Sequence, residues 1–251
     1  MANPRYIVRF VSKASGAGKT RVASRVVSLL RMKGYVVGVV KHCTEITLEE
    51  KDSKKYIESG AVVVVASSPG LLVVYSTSHP DTLESTLYHV QAPIVVVEGY
   101  KHSSIGDVVV VSEKPEEAVE LAKSLSNVIA IVTRKSNTQL PQTNTPVFDF
   151  EEVELLANLV ESRALEYLTS EAPGLNCQMC GYASCKELAR AYMKGASQWC
   201  PVKSGIRVLV DGYEVQLNPF VKNMIRSTVL GLISPLKGVL QKPSRVVIEV
   251  S

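Results

Sequence analysis

The sequence predicts an α/β fold in which a mostly parallel β-sheet carries helices on both of its faces. Short, wholly apolar runs alternate with amphipathic segments over the first two thirds of the chain, a pattern typical of strands buried on both sides. The chain has 251 residues, of which 46% are hydrophobic, and this is enough to bury a large core. The final apolar runs are shorter and predict a small α+β unit after the sheet domain.

A phosphate-binding loop is predicted after the first apolar run, Tyr6–Val11. The loop ends in Gly-Lys-Thr and leads into a helical pattern that includes Val22 and Val26. A strand, a glycine-containing loop and a helix in this order form a P-loop, so the sheet is predicted to be P-loop NTPase-like. Backbone N–H groups and the helix N-terminus bind phosphate in such a loop. The residues expected to contribute are Ser15, Gly16, Ala17, Gly18, Lys19 and Thr20.

Two side chains of this loop have expected roles, and a third departs from the usual pattern. We expect Lys19 to reach the outer phosphates of a nucleoside triphosphate and the Thr20 hydroxyl to bind Mg²⁺. Lys13 stands where the pattern has its first glycine, a position that often needs glycine's backbone freedom. An ordinary strand-to-helix turn is the alternative interpretation of the loop.

The remaining patterns extend the sheet domain to about residue 168. Further strands are predicted at 35–40, 61–65, 71–75, 93–98, 107–112 and 128–132. Further helices are predicted from 51 to Gly60 and over 83–90, 115–124 and about 151–168. Because ligands bind at the carboxyl ends of parallel strands, the polar residues that follow these strands are site candidates.

Glu98 ends a strand, after four apolar residues, and is the predicted partner of Thr20. A P-loop protein needs a carboxylate at the end of a neighbouring strand to complete the Mg²⁺ shell. Glu98 has the position and the charge for this role. A strand-end acid that points to solvent is the alternative.

Five short motifs resemble the molybdopterin-guanine dinucleotide biosynthesis protein B (MobB) family. They lie in the family's order, over roughly residues 5–165, at 15–20, 38–42, 51–53, 60–61 and 97–101. The resemblance implies a P-loop protein that binds GTP, hydrolyses it weakly and is usually dimeric. It also implies that the protein assists the enzyme that attaches a nucleotide to molybdopterin, and that a residue other than glycine at position 13 is common.

The same resemblance implies roles for three more residues. Lys41 and His42 would face the phosphates or a pterin, and Asp52 would lie near the metal. A satisfied strand-end histidine and an acid that complements the helix dipole are the plainer interpretations of His42 and Asp52. Glu50 stands where the family tends to have glycine. No aspartate follows the strand 128–132, where GTPase-type proteins often read the base, so guanine over adenine rests on the resemblance alone.

Four of the five cysteines lie between residues 177 and 200, as C-x₂-C-x₄-C followed by one late cysteine. A close triple with one remote thiolate suits a [4Fe–4S] cluster, because each iron needs one sulfur; structural zinc is the alternative. The segment also resembles the four-cysteine [4Fe–4S] domain of the Rnf complex B subunit and of corrinoid iron–sulfur proteins. Cys43 is expected to be a free buried thiol. The predicted cluster ligands are Cys177, Cys180, Cys185 and Cys200.

Three domains are therefore predicted: 1–168 for the nucleotide, 169–204 for the cluster, and 205–251 as a small α+β unit. In the last, a hairpin with a turn at Asp211-Gly212 precedes a helix capped at Asn218. The helix's apolar residues, among them Phe220 and Met224, are expected in a core, and a last strand is predicted over 245–250.

Composition narrows the remaining function classes. A net charge of +4, without a basic run interleaved with aromatic residues, predicts no nucleic-acid partner. No apolar run is long enough to span a membrane, and no signal-peptide pattern opens the sequence, which together predict a cytoplasmic protein.

The combined prediction is a GTP- and Mg²⁺-binding accessory protein of low intrinsic GTPase activity that carries a [4Fe–4S] cluster. It would act in molybdopterin or tungstopterin guanine dinucleotide synthesis. Expected partners are a nucleoside triphosphate, a molybdopterin nucleotidyltransferase or molybdoenzyme-maturation partner, and a second copy of the chain. Two alternatives stay open: an ATP-driven redox protein whose nucleotide state gates electron transfer from the cluster, and a non-catalytic adaptor. No residue is assigned as catalytic.

Overall fold

The computed structural model describes residues 3–46, 51–134, 143–196, 199–201, 206, 208–210, 213–215, 217, 219–238 and 246–248. The chain divides into two compact units. The first comprises Pro4–Leu168 with Met193–Gly195, and the second comprises Met1–Asn3, Thr169–Tyr192 and Ala196–Ser251. The predicted three-domain division, with its boundary at residue 204, stays a prediction.

Six parallel strands form the central sheet of the first unit, which confirms the predicted fold class. The described strands are β1 (Tyr6–Val11), β2 (Val37–Lys41), β3 (Val63–Ser68), β4 (Leu71–Ser76), β5 (Ile94–Glu98), β6 (Asp107–Val111), β7 (Val128–Val132), β8 (Val147–Phe148), β9 (Val208–Val210) and β10 (Tyr213–Val215). The central sheet has the order β2-β5-β1-β6-β7-β8, so β1 lies between β5 and β6. The loop after β1 therefore opens at the carboxyl edge of the sheet, where ligands bind in folds of this kind.

The described helices follow one another in the predicted order, and some of them begin or end at other residues than predicted. They are α1 (Lys19–Met32), α2 (Lys51–Glu58), α3 (Leu83–Leu87), α4 (Pro115–Ser124), α5 (Val153–Glu171), α6 (Cys185–Met193) and α7 (Pro219–Ile233). The bounds of α4 are those predicted, because Pro115 at its first position sets a sharp start. In contrast, α3 is shorter than predicted and α5 runs past residue 168.

Helices cover both faces of the central sheet, as predicted. Successive side chains of a strand point to opposite faces. On one face Val11 of β1 packs with Val110 and with Ala118 of α4. On the other face the Tyr6 ring lies 6.0 Å from the Tyr167 ring of α5. Both faces of β1 are therefore removed from water, which explains why five of its six residues are apolar or aromatic and fixes the strand that carries the P-loop.

Two predictions about buried strands are wrong. The strand β2 lies at the edge of the sheet and pairs only with β5 among the described strands. Its residue Val39 is 53% exposed. Strands β3 and β4 pair antiparallel with each other as a separate hairpin. The hairpin exposes large apolar side chains on both strands, including Val65 and Leu72. A wholly apolar run predicts a strand but does not show what covers it.

Three shorter elements complete the comparison. The two-residue strand β8 was not predicted, because two residues are too few to show a period. In the second unit β9 and β10 form the predicted hairpin, whereas the Asp211-Gly212 turn and the Asn218 cap lie outside the described residues. Residues 246–248, the described part of the last predicted strand, are not in a strand.

The helix α7 differs from its prediction in burial. Phe220 is 74% exposed and Met224 is 53% exposed, so neither belongs to a core among the described residues. An amphipathic pattern predicted the helix correctly, but the packing partner that the pattern implied is not present in the part of the chain that the structure describes. None of the described helices is both long and apolar enough to cross a membrane.

Candidate functional site

The loop after β1 has the backbone conformation of a phosphate-binding loop. Gly16 has φ 76° and Gly18, the N-cap of α1, has φ 84°, both in the left-handed region that favours glycine. Lys13 is not among the residues with positive φ, which explains why this position needs no glycine. Its side chain instead pairs with Glu120 of α4 at 3.1 Å. The departure from the P-loop pattern at Lys13 therefore leaves the cradle of the loop intact.

Gly18 is required for space as well as for conformation. A Cβ added there would stand 2.8 Å from Cε1 of Phe150, closer than real Cβ contacts. Phe150 lies between β8 and α5, in a turn in which the Asp149 N–H donates to the Glu152 carboxylate at 2.8 Å. The aromatic ring therefore backs the first turn of α1. Sequence reasoning missed Phe150, since nothing in the pattern around it indicates contact with the loop.

Lys19, Thr20 and Glu98 come together at the carboxyl edge of the sheet. The Lys19 ammonium folds back over the loop and donates to Ser12 Oγ at 2.6 Å and to the Ala14 carbonyl at 3.3 Å. The Thr20 hydroxyl donates to Glu98 Oε1 at 2.7 Å. The two residues expected to hold Mg²⁺ are thus neighbours, although 78 positions separate them in the sequence.

Lys41 and His42 lie beside Glu98 because β2 pairs with β5. Lys41 is opposite Glu98 in the strand register, and the His42 N–H donates to the Glu98 carbonyl at 2.9 Å. Gly99 allows this approach, since a Cβ there would stand 2.8 Å from the His42 Cβ. The structure therefore brings both predicted residues to the edge that carries the P-loop.

His42 is held by two residues that sequence reasoning did not assign. Its Nε2 lies 3.1 Å from Asp81 Oδ2, and its ring stacks on Tyr100 with centroids 4.5 Å apart. The Tyr100 hydroxyl donates to Asp81 Oδ1 at 3.2 Å. The hydrogen bond from His42 lowers the pKa of the Asp81 carboxyl below its usual value. Tyr100 could have been suspected from its place directly after Glu98 and Gly99, whereas Asp81 stands in a polar loop with no motif.

No described contact links Asp52 or Cys43 to the group of residues around His42. Asp52 accepts from Lys55 Nζ at 3.0 Å on its own helix, α2, so its predicted place near the metal stays a prediction. Cys43 is exposed, not buried as predicted, because the edge strand β2 ends just before it. Glu50, where the loop was expected to differ from the family, lies outside the described residues.

In the second unit the four predicted cluster ligands line one pocket. Cys185 and Cys200 are buried, Cys180 is partly buried and Cys177 is exposed, and none of the four takes part in a disulfide among the described residues. Asn176, Tyr182 and Leu188 complete much of the wall. Within the described part of the chain, no three cysteine, histidine or acidic side chains are arranged to hold a single metal ion. The thiols surround a common space without converging on one point.

The backbone around this pocket is tightly specified. Asn176, Gln178 and Gly181 all have positive φ, so the chain turns sharply on either side of Cys177 and Cys180. The Asn176 side chain accepts from the Cys185 N–H at 2.9 Å. These turns and contacts aim three cysteines at the same pocket.

The helix that begins at Cys185 is capped by two side chains. Ser184 Oγ accepts from the Glu187 N–H at 3.2 Å, and the Glu187 carboxylate accepts from the Ala183 N–H at 3.1 Å. This Ser-x-x-Glu arrangement closely resembles a capping box. Cys185 is consequently the first residue of α6.

The donor sets fit the groups expected at each site. Hydroxyl and carboxylate oxygens, as supplied by Thr20 and Glu98, are the ligands that Mg²⁺ prefers, and their 2.7 Å contact shows that both can reach one ion. Four thiols around one pocket supply one sulfur for each iron of a [4Fe–4S] cluster. The same four thiols are also a donor set for structural zinc, the alternative given by the sequence.

Two family models match the chain. A family model described as "Molybdopterin guanine dinucleotide synthesis protein B" (MobB) matches residues 7–134, about half of the chain. A second model, described as "Putative Fe-S cluster", matches residues 173–201. This second match includes all four cysteines of the pocket.

Individual relatives show the same likeness. A protein of Methanocaldococcus jannaschii, described as "Putative molybdopterin-guanine dinucleotide biosynthesis adapter protein", is 23% identical over 237 residues, which are 93% of this chain and 93% of that protein. A crystal structure of molybdopterin-guanine biosynthesis protein B is 28% identical with a TM-score of 0.50, and it covers 63% of this chain and 98% of its own. Bacillus subtilis MobB, 21% identical with a TM-score of 0.50 over 61% of this chain and 97% of its own, shares the fold. These matches confirm the resemblance found in the sequence, and the chain belongs to the MobB family.

Proposed function

We propose that the chain is a GTP-binding accessory protein in the synthesis of molybdopterin or tungstopterin guanine dinucleotide cofactors. In this proposal Mg²⁺ accompanies the nucleotide, and a [4Fe–4S] cluster is bound in the second unit. The observation that carries the proposal is the hydrogen bond from Thr20 to Glu98 beside Lys19, at the mouth of a loop with the backbone of a phosphate cradle. The pathway comes from the names of the relatives.

Each residue of the nucleotide site has a defined task in this proposal. Lys19 leaves Ser12 and Ala14 and binds the outer phosphates, where an ammonium offsets their negative charge. Thr20 and Glu98 would hold Mg²⁺, which would neutralise charge on the phosphates. The N–H groups of residues 15–20 bind the phosphate oxygens at the N-terminus of α1.

Isothermal titration calorimetry of Mg²⁺·GTP and Mg²⁺·ATP tests the nucleotide half of the proposal. GTP should bind more tightly than ATP, and Lys19→Ala should weaken GTP binding by roughly 100-fold, because a charge-assisted phosphate contact is lost. Lys123→Ala, an exposed lysine at the end of α4, is the matched control and should bind as the wild type does. Equal affinity in Lys19→Ala would overturn the site, and a preference for ATP would favour the ATP-driven redox protein.

The cluster half rests on the pocket lined by Cys177, Cys180, Cys185 and Cys200. Protein purified without oxygen should be brown and contain about four irons per chain. Cys185→Ser should lose the iron, whereas Cys43→Ser, which changes an exposed thiol of the first unit, should keep it. A colourless protein with one zinc would contradict the proposal and favour structural zinc.

Whether the bound nucleotide is consumed separates the accessory GTPase from the adaptor. The word adapter in the name of the Methanocaldococcus jannaschii relative favours a role in which binding, not turnover, is used. The proposed partner is a molybdopterin nucleotidyltransferase or another molybdoenzyme-maturation protein. Single-turnover assays with GTP, with and without that partner, distinguish the two candidates: slow hydrolysis supports the GTPase, and none in either mixture supports the adaptor.

A homodimer is the proposed assembly, and the β3–β4 hairpin is the surface that supports it. Val65 is 57% exposed and Leu72 is 62% exposed, and apolar patches of this kind commonly mark interfaces. A charge at the patch, as in Val65→Asp, should shift the sedimenting species from dimer to monomer. Val39→Asp, on the exposed side of β2, serves as a comparison outside the hairpin. The cytoplasm is the proposed location, because the cluster thiols must stay reduced.

A further inference from the structure

We infer that the Ser12 hydroxyl competes with the outer phosphates of the bound nucleotide for the Lys19 ammonium, and that this competition lowers the affinity of the P-loop. The inference rests on the proposed function, because it describes how the same loop is controlled. Ser12 acts through Lys19 and is therefore a positioning residue. Its removal should strengthen nucleotide binding, whereas damage to the loop would weaken it.

Three hydrogen bonds join Lys19, Ser12 and Ala14 in a closed triangle. The Lys19 ammonium donates to Ser12 Oγ at 2.6 Å and to the Ala14 carbonyl at 3.3 Å. The Ser12 hydroxyl donates to the same Ala14 carbonyl. Since a serine has one hydroxyl hydrogen, its oxygen turns its lone pairs to Lys19. Ser12 is thus the closer of two acceptors for Lys19 and also holds the other one in place.

Ser12 lies at the buried base of the loop. It directly follows β1, whose last residue, Val11, is 1% exposed, and Ser12 itself is 9% exposed. The loop residues 13–16 are exposed, so a nucleotide approaches the loop from their side. A hydrogen bond from an ammonium is stronger where water is largely excluded. The contact with Ser12 therefore holds the end of the flexible Lys19 side chain at the inner side of the loop.

The donors of Lys19 are too few for both sets of contacts. An ammonium has three N–H groups, and two of them bind Ser12 and Ala14. In the proposed function Lys19 binds the outer phosphates, and the one remaining N–H does not reach oxygens of two phosphate groups. Contacts with the loop therefore break as contacts with the phosphates form. The apparent affinity is then reduced to the fraction of chains in which Lys19 is released.

A competitor of this kind acts on the rate at which the nucleotide binds. The Ser12 contact is made before the nucleotide arrives and is broken in the complex, so it reduces the population that is competent to bind. It has no part in the complex and should leave the dissociation rate unchanged. A new or improved contact with the nucleotide would instead slow dissociation. The two rate constants thus distinguish release of Lys19 from other causes of tighter binding.

Stopped-flow measurements with a fluorescent GTP analogue and Mg²⁺, made on the full chain, test the inference. Ser12→Ala should bind roughly three- to tenfold more tightly than the wild type through faster association, since a hydrogen bond to a charged group is lost from the unbound form. Ser12→Cys, which keeps the size but is a weaker acceptor, should lie between them. Ser24→Ala, an alanine substitution in the middle of α1, is the matched control and should bind as the wild type does.

A double-mutant cycle shows whether Ser12 acts through Lys19. In the Lys19→Ala background, Ser12→Ala should change the affinity by less than about twofold, because no ammonium is left to release. Unchanged or weaker binding by Ser12→Ala, tighter binding through slower dissociation alone, or the same gain without Lys19 overturns the inference while the nucleotide site stands. No binding of the GTP analogue by the wild type overturns the proposed nucleotide site and the inference together.

Discussion

The nucleotide site and the cysteine pocket belong to different units and are built in different ways. In the first unit Lys19 and Thr20 lie just after β1 and Glu98 ends β5, two strands whose side chains are mostly buried, and all three residues already contact protein partners. In the second unit the ligands lie on tight turns and at the start of α6, and one of them, Cys177, is exposed. A packed sheet fixes the first site, whereas short loops define the second.

This difference indicates where each site obtains its stability. The hydrophobic core of the first unit forms without a ligand, so the nucleotide site should be present before GTP arrives. The second unit exposes large apolar residues such as Phe220 and Leu232, and a small unit with little core usually depends on its metal to fold. The two sites should therefore respond very differently to loss of their ligands.

Removal of the cluster should have the largest effect. Chelation under anaerobic conditions should unfold much of the second unit and leave the first intact, because the proposed cluster would link only the second unit through metal–sulfur bonds. Limited proteolysis should then cut after about Leu168, while the segment Pro4–Leu168 resists. An identical digestion pattern before and after chelation would show that the second unit is held by its own packing instead.

Gly18→Ala should give the next largest effect, and it is confined to the first unit. The new Cβ would stand 2.8 Å from Phe150 at a residue with φ 84°, so both clash and backbone strain oppose it. We expect a loss of about 1–3 kcal/mol in the free energy of unfolding and at least tenfold weaker GTP binding. Gly16→Ala, at φ 76° but with no atom within 4 Å of a Cβ, is the control in urea unfolding and should lose less stability. Equal losses would contradict the role of Phe150.

Ser184→Ala should weaken the second unit alone. The variant removes the hydroxyl that accepts from the Glu187 N–H at the start of α6, and loss of such a cap costs about 1 kcal/mol. We expect the cluster to be lost on mild heating at a lower temperature than in the wild type. The decrease of the cluster's visible absorption measures this loss. Ser24→Ala, in the middle of α1, provides the control and should leave cluster loss unchanged.

The smallest expected effect is the response of the first unit to alkaline pH. Burial, helped by the charge of Asp107, raises the pKa of Tyr6 above its usual value. The unfolded chain then loses this proton first, so the stability that depends on it is complete below pH of about 10 and falls as the pH rises further. At half a pH unit above that value the loss should be about 0.8 kcal/mol in urea unfolding. Tyr6→Phe should remove this pH dependence; an unchanged slope would refute the assignment.

Features that depend on the local sequence could be predicted from it. Apolar runs of five or six residues located β1, β5, β6 and β7 closely, and the strand ends placed Glu98 near Thr20. Local patterns report on the backbone and on nearest neighbours, and these features depend on little else.

Features that depend on contacts distant in sequence were missed. Asp81 and Phe150 stand in loops, and their partners, His42 and Gly18, are far away along the chain. The exposed β3–β4 hairpin carries the same apolar pattern as a buried strand, because β-propensity does not distinguish a core from an interface. Tertiary packing, not local preference, decided each of these cases.

The most direct test of the contrast is calorimetric titration of GTP into the cluster-loaded chain and into the same chain after anaerobic chelation. If the nucleotide site is built by the first unit alone, the two dissociation constants should agree within about twofold, because Lys19, Thr20 and Glu98 have all their described contacts there. A large loss of GTP affinity on cluster removal would contradict this separation. By the reciprocity of linked equilibria, it would also mean that the nucleotide acts on the cluster.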